Sequence, residues 1–174
     1  MVRGSLSALV CLLAAAVMVV AVPVPHAAEP VTISYSGDLT ALGRLAPYPA
    51  VAPAGLPASW QPVSSSLAVG GANGAGTVTW QLGLMTPDGT LAALAETNAS
   101  AAAFIRRMTN GGNPYSPLAP VRLDGQAWNL SSAPSRGQRS MYLTSPAGLT
   151  VVITGNATWA ELRELAASLR PVAR

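Results

Sequence analysis

Thr77-Val78-Thr79-Trp80-Gln81-Leu82-Gly83-Leu84-Met85-Thr86-Pro87-Asp88-Gly89-Thr90-Leu91-Ala92-Ala93-Leu94-Ala95-Glu96 is the stretch whose reading decides the fold. Val78, Trp80, Leu82 and Leu84 alternate with Thr79, Gln81 and Gly83. A period of two puts the four apolar side chains on one face of a strand. Thr86-Pro87-Asp88-Gly89 then reverses the chain. Proline presets φ at the first corner, aspartate tolerates the second, and glycine supplies the positive φ from which a return strand starts. Residues 90–96 are that return strand. The hairpin predicts the middle of a sheet that the remaining elements cover.

Outward from the hairpin, residues 60–69 read as a strand, followed by the glycine-rich piece 70–76. A phosphate-cradling loop has to open a helix. This piece leads into a strand and lacks lysine, so it reads as a hairpin tip. On the other side, Thr97-Asn98-Ala99-Ser100 starts a helix whose stripe is Ala101, Phe104, Ile105 and Met108. Gly111 and Gly112 are expected to end it. Residues 113–120 read as a proline-containing loop. Residues 121–130 form a second hairpin around Asp124-Gly125, a strong two-residue turn signal. Residues 131–137 read as polar and loose. Residues 139–144 and 149–154 form a third hairpin around Ser145-Pro146-Ala147-Gly148.

The last helix opens on a capping box, Thr158-Trp159-Ala160-Glu161, and presents Leu162, Leu165, Ala166 and Leu169 to the core. Pro171 is expected to stop it. Near the other end of the chain, Val31, Ile33 and Tyr35 alternate, and Asp38 can cap a short helix bearing Leu39, Leu42 and Leu45. Pro47, Pro49, Pro53 and Pro57 forbid regular helix or central strand, so this stretch is expected to run extended along the surface. Two turn-then-helix segments echo one another: Thr86 to Gly89 with Asn98-Ala99-Ser100, and Ser145 to Gly148 with Asn156-Ala157-Thr158. A pseudo-repeat and shared local chemistry explain that echo equally well.

The apolar run of residues 6–24 follows Arg3. About 17 residues at ~1.5 Å each span roughly 25 Å, against a hydrocarbon core of about 30 Å. A signal peptide and an uncleaved signal-anchor helix compete. The small-residue cleavage pattern is poor around His26-Ala27-Ala28, so the anchor is the reading adopted, with the C-terminal body outside. Three regions result: residues 1–28, the signal-anchor; residues 29–57, a membrane-proximal strand, short helix and proline-rich segment; and residues 58–174, an extracytoplasmic α+β domain.

The 174 residues carry a formal charge of +3, with no lysine and no basic run longer than Arg106-Arg107. Nucleic-acid binding needs a denser basic stripe. Cys11, within the apolar run, is the single cysteine, so the folded body has no disulfide framework or thiolate site. His26 is the single histidine and sits in the membrane-proximal linker, which removes Ser-His catalysis and a histidine metal cluster within one chain. The absence of lysine removes Ser-Lys chemistry. Carboxylates remain at Asp38, Asp88, Glu96, Asp124, Glu161 and Glu164. Turn, cap and surface roles account for Asp88, Asp124, Glu161 and Glu164. Arg106, Arg107, Arg136 and Arg139 read as a solvated surface, with an anionic polymer as the alternative. Asn98 and Asn156, although in glycosylation sequons like Asn129, read as helix-entry residues. No cofactor, metal site or catalytic residue is expected.

Several segments together resemble the DUF4245 family, an actinobacterial family of unknown function. They are the N-terminal apolar span, Ala46-Pro47-Tyr48-Pro49, Pro53-Ala54-Gly55-Leu56-Pro57 with Trp60, Trp80-Gln81-Leu82-Gly83 with Thr86-Pro87-Asp88-Gly89, Leu123-Asp124-Gly125-Gln126-Ala127-Trp128, and Val151-Val152-Ile153-Thr154-Gly155 before the final helix. The resemblance implies a single-pass envelope protein with its folded part outside the cell membrane, and carries over no catalytic residue. The order of elements also looks like the Mog1/PsbP-like α/β/α sandwich, an analogy at the level of fold.

The sequence therefore predicts an antiparallel sheet with packed helices behind one N-terminal transmembrane helix. Its expected role is a noncatalytic module that binds an envelope protein or cell-wall component. A carrier of a small apolar or lipidic ligand and a carboxylate-based hydrolase are the alternatives. Trp60, Trp80 and Trp128, each on or beside a predicted strand, are the large side chains that pack the core or share a ligand face.

Overall fold

Val78, Trp80, Leu82 and Leu84 turn to one side of their strand and are 2 % exposed or less, as their alternation requires. They belong to a computed structural model that describes residues 32–70, 76–109 and 116–173. The elements are α1 (Ser36–Leu45), β1 (Val51–Pro53), β2 (Gln61–Gly70), β3 (Thr77–Met85), β4 (Leu91–Thr97), α2 (Ala101–Met108), β5 (Ser116–Leu123), β6 (Gln126–Ala133), β7 (Gln138–Thr144), β8 (Thr150–Gly155), α3 (Trp159–Ala167) and β9 (Leu169–Pro171). A short 3-10 turn, Pro134–Arg136, joins β6 to β7.

Seven strands form one antiparallel sheet in the order β2-β3-β4-β8-β7-β6-β5, and β1 pairs with β9 in a separate ribbon. The chain runs outward to β5 after α2 and returns through a meander, so β8 ends beside β4. Successive residues of a strand face opposite ways. Leu94 and Ile153 join Leu42 of α1 and Leu162 and Leu165 of α3 in the main core. Their neighbours Ala95 and Val152 pack instead with Phe104 of α2. Helix α2 therefore lies on the face of the sheet opposite α1 and α3. Each fully buried leucine contributes about 1.5–3 kcal/mol, and the larger cluster holds most of them.

The turns form for the reasons the sequence predicts. Gly89 and Gly148 adopt φ of 74° and 83°. The two turns share one bonding pattern, Gly89 N–H to the Thr86 carbonyl and Gly148 N–H to the Ser145 carbonyl. Asp124 and Gly125 both have positive φ, 48° and 77°, the type I′ geometry that matches strand twist. The capping box of α3 is complete. The echo is one of local chemistry, because α2 and α3 pack on opposite faces. Asn98 and Asn156 also bridge different strand pairs: Asn98 Oδ1 accepts the Val78 amide of β3, and Asn156 Oδ1 accepts the Leu91 amide of β4, each at 2.8 Å. Both act as strand-end bridges, while Ser100 and Thr158 hold the N-cap positions.

Several expectations are corrected. The proline-rich segment is extended but does not lie on the surface: Tyr48, Ala50 and Ala52 are buried, while Pro47 and Pro49 on either side of Tyr48 are exposed. With Leu42, these residues put segment 32–57 into the same core as the remainder of the fold. Residues 116–120, expected in a loop, begin β5, an edge strand that tolerates Pro117 and Pro120 and shifts register between Leu118 and Val121. Ser131–Ala133 complete β6 rather than a loose segment. Helix α3 ends at Ala167, and Leu169 pairs in the ribbon. Asp38 lies inside the first turn of α1, whose N-cap position is Tyr35, and accepts a hydrogen bond from Ser65. No helix among the described residues is long and apolar enough to cross a membrane. The predicted 6–24 span, the 71–75 tip and the Gly111-Gly112 stop lie outside the described residues.

Candidate functional site

Beyond β8 the sheet and the ribbon do not close completely. Trp128 of β6, Leu143 of β7 and Val151 of β8 form one wall of a cleft of about 290 Å³, and Val51 of β1, Ala166 of α3 and Leu169 of β9 form the other. Asp124, Gln126, Ser145 and Arg170 add polar groups to its lining. The walls are apolar because they continue the alternation of the core face: Leu143, Val151 and Trp128 all belong to the main cluster.

Behind the ribbon wall lies Glu96, whose cross-strand neighbours are Trp80 and Val151. It follows Ala92 and Leu94 on the core face of β4 and is 0 % exposed. Its Oε2 accepts the Val51 amide at 3.0 Å, and its Oε1 has no hydrogen-bond partner. Burial raises its pKa to about 7, against a smaller lowering by the Val51 bond. The phenol of Tyr48 faces it: burial first, then the Glu96 charge, pushes that phenol well above its ordinary value. The Tyr48 hydroxyl donates a long bond, 3.4 Å, to the Val78 carbonyl. A buried carboxylate with one amide and no cation is costly when charged. It can hold a proton at neutral pH, and it ties a cleft wall to the sheet.

The three tryptophans do not share a face open to solvent. Trp80 is completely buried and donates its indole N–H to the Ser65 hydroxyl at 3.1 Å. Trp60 is 5 % exposed, with its indole nitrogen unpaired. Trp128, 3 % exposed, is the one that lines the cleft.

Among the other carboxylates, Asp88 is in an exposed turn and Glu164 on the exposed side of α3. Glu161 caps α3, taking the amide and hydroxyl of Thr158 on Oε2, both at 2.8 Å. No group of three or more His, Cys, Asp or Glu that could hold a metal is present among the described residues. The arginines serve separate ends. Arg107 lies over the Phe104 ring at 5.2 Å, Arg139 donates to the Ala157 carbonyl at 3.1 Å, and Arg106 and Arg136 are exposed. Asn129 is exposed on β6.

The model of the family described as "Protein of unknown function (DUF4245)" matches residues 4–169. The chain belongs to the DUF4245 family. No curated protein and no solved structure matches it. Three of the segments on which the DUF4245 resemblance rests contribute to the cleft and its backing. Leu123 to Trp128 and Val151 supply residues of the sheet wall, and Tyr48 the group beside Glu96. Glu96 is one of the six acids of this DUF4245 chain beyond residue 30, and no turn or cap pattern in the sequence gives it a role. A signal was present: Ala92, Leu94 and Glu96 share the parity of the core face.

Proposed function

We propose that this DUF4245 chain is a noncatalytic binding module that holds a small apolar or lipidic body in the cleft between sheet and ribbon. The cleft itself carries the reading. Its 290 Å³ lies at the lower end of ligand pockets, about 300–1,000 Å³, which combine apolar walls with a few polar groups. In the same proposal, the 6–24 run tethers the module outside the membrane, facing the envelope. Helices on both faces of the antiparallel sheet support the Mog1/PsbP-like reading at the level of fold. The cleft favours a carrier over a module that engages partners only through its outer surface.

The test is a titration of the methyl-labelled full chain with decan-1-ol, an uncharged apolar probe. Saturable shifts are expected at Val51, Leu143, Leu149 and Val151, with none at Leu67 or Val69 on β2. A featureless titration, or shifts centred away from the cleft, would overturn the reading.

A further inference from the structure

Glu96 and Val51 tie the ribbon wall of the cleft to the sheet. The ribbon is short, three residues per strand, and Pro53 and Pro171 remove two of its amides as donors. Its bonds include the Ala54 amide to the Ser168 carbonyl and the Val172 amide to the Ala50 carbonyl, both 2.9 Å. The Val51 amide turns the other way, to Glu96 on the sheet. Val51 also lines the cleft, as does Val151, the cross-strand neighbour of Glu96. One side chain thus joins the movable wall to the fixed one.

We propose that Glu96 is a proton-operated latch: neutral, it holds the β1–β9 ribbon on the sheet; ionised, it releases the ribbon and opens the cleft. The reason lies in its surroundings. The neutral acid keeps the Val51 bond and buries no charge. The carboxylate formed on losing the proton to solvent is buried with one amide and an unpartnered second oxygen. From the segment before β1, the Tyr48 phenol faces it and is held neutral. From β3 and β8, its cross-strand neighbours are the uncharged Trp80 and Val151. No cation among the described residues contributes to its pKa. Water is therefore the available partner for the charge, and reaching it requires the ribbon to lift. The raised pKa agrees with this geometry and places the release near neutrality. The gating of ligand entry rests on the cleft reading above; the movement of the ribbon does not.

Hydrogen exchange of the full chain without ligand tests the movement, read at Val51, Ala54 and Val172 and corrected for the intrinsic pH dependence of exchange. Between about pH 6 and about pH 8.5, protection at these amides should fall by roughly tenfold or more, while Leu94 and Ile153 keep theirs. In Glu96→Gln the fall should disappear. Infrared difference spectra of the wild type supply a readout independent of any variant: a protonated-carboxyl band that is lost over the same pH range. Protection that does not change with pH in the wild type, an equal fall in Glu96→Gln, or absence of the band at about pH 6 would overturn the latch. Decan-1-ol affinity, compared at the same two pH values, separates the two proposals. Failure to bind at either pH removes the carrier and leaves the exchange result standing.

Discussion

The indole N–H of Trp80 and the hydroxyl of Ser65 meet at 3.1 Å, and the Ser65 hydroxyl in turn donates a hydrogen bond to the Asp38 carboxylate. This relay joins β3, β2 and α1, and gives a fully buried tryptophan the one bond its ring can donate. Ser65→Ala removes the acceptor and leaves the indole N–H buried and unpaired. It is expected to cost about 1–3 kcal/mol, measured by urea denaturation. Trp80→Phe in the Ser65→Ala background should show coupling with the single changes, because both act on one bond.

Stability should fall as pH rises from the acid side toward neutrality. The Glu96 pKa is raised from 4.5 to about 7 in the folded chain. Between those values the folded state binds more protons than the unfolded one, so the stabilisation is complete below the lower value and lost through the upper. The whole effect is on the order of 3 kcal/mol. Denaturation midpoints across this range should show the decline in the wild type and a much flatter profile in Glu96→Gln.

Glu161 should act with the opposite sign. Its burial raises the pKa, but the neighbouring Thr86 hydroxyl and Asp88 amide, and the Thr158 amide and hydroxyl that bond its Oε2, outweigh this and hold it below 4.5. Its contribution is present above the unfolded value and lost as pH falls through the folded one. The two glutamates together place a stability maximum at about pH 4.5, the unfolded value they share. Thr158→Ala breaks the capping box and should cost about 0.5–2 kcal/mol at that pH. Loss of the acid limb in Glu161→Gln, with the neutral limb retained, checks the assignment.

Gly155 and Gly83 should respond differently to alanine. A Cβ on Gly155 would run into the Leu91 carbonyl oxygen and lie 2.9 Å from the Ala92 Cα, both backbone atoms of β4. A Cβ on Gly83 would meet the Ser64 hydroxyl, which can rotate away. Gly155→Ala is expected to destabilise by about 1–3 kcal/mol or more, and Gly83→Ala by less. Thermal melts of the two variants decide the order.

The hairpins were legible because turn chemistry is local. Asp124-Gly125, Pro87-Asp88-Gly89 and Pro146-Ala147-Gly148 carry their own conformational reasons, as do Thr158 and Glu161. Beyond reach were the features that depend on distant partners. Strand β1 exists because Leu169–Pro171 lies opposite it, more than a hundred residues later. Pro117 and Pro120 read as loop because a sequence does not say which strand is an edge. Tyr48, Ala50 and Ala52 alternate inward as a strand does, but Pro47, Pro49 and Pro53 around them masked the period. Glu96 was visible by parity as a core position. Its missing partner was not, since that requires knowing that the segment bearing Tyr48 and Val51 covers it.

The sheet closes at one seam. Every other neighbouring pair in it joins strands consecutive in the chain, and only β4 with β8 unites residues more than fifty positions apart. Two meanders can each assemble quickly from local contacts, but neither buries its full inner face until that closure is made. The closure of Ala92 to Thr97 on Thr150 to Gly155 is therefore expected to limit the rate of folding. Changes there are expected to slow the forward reaction, and changes in the outer turns mainly to hasten the return.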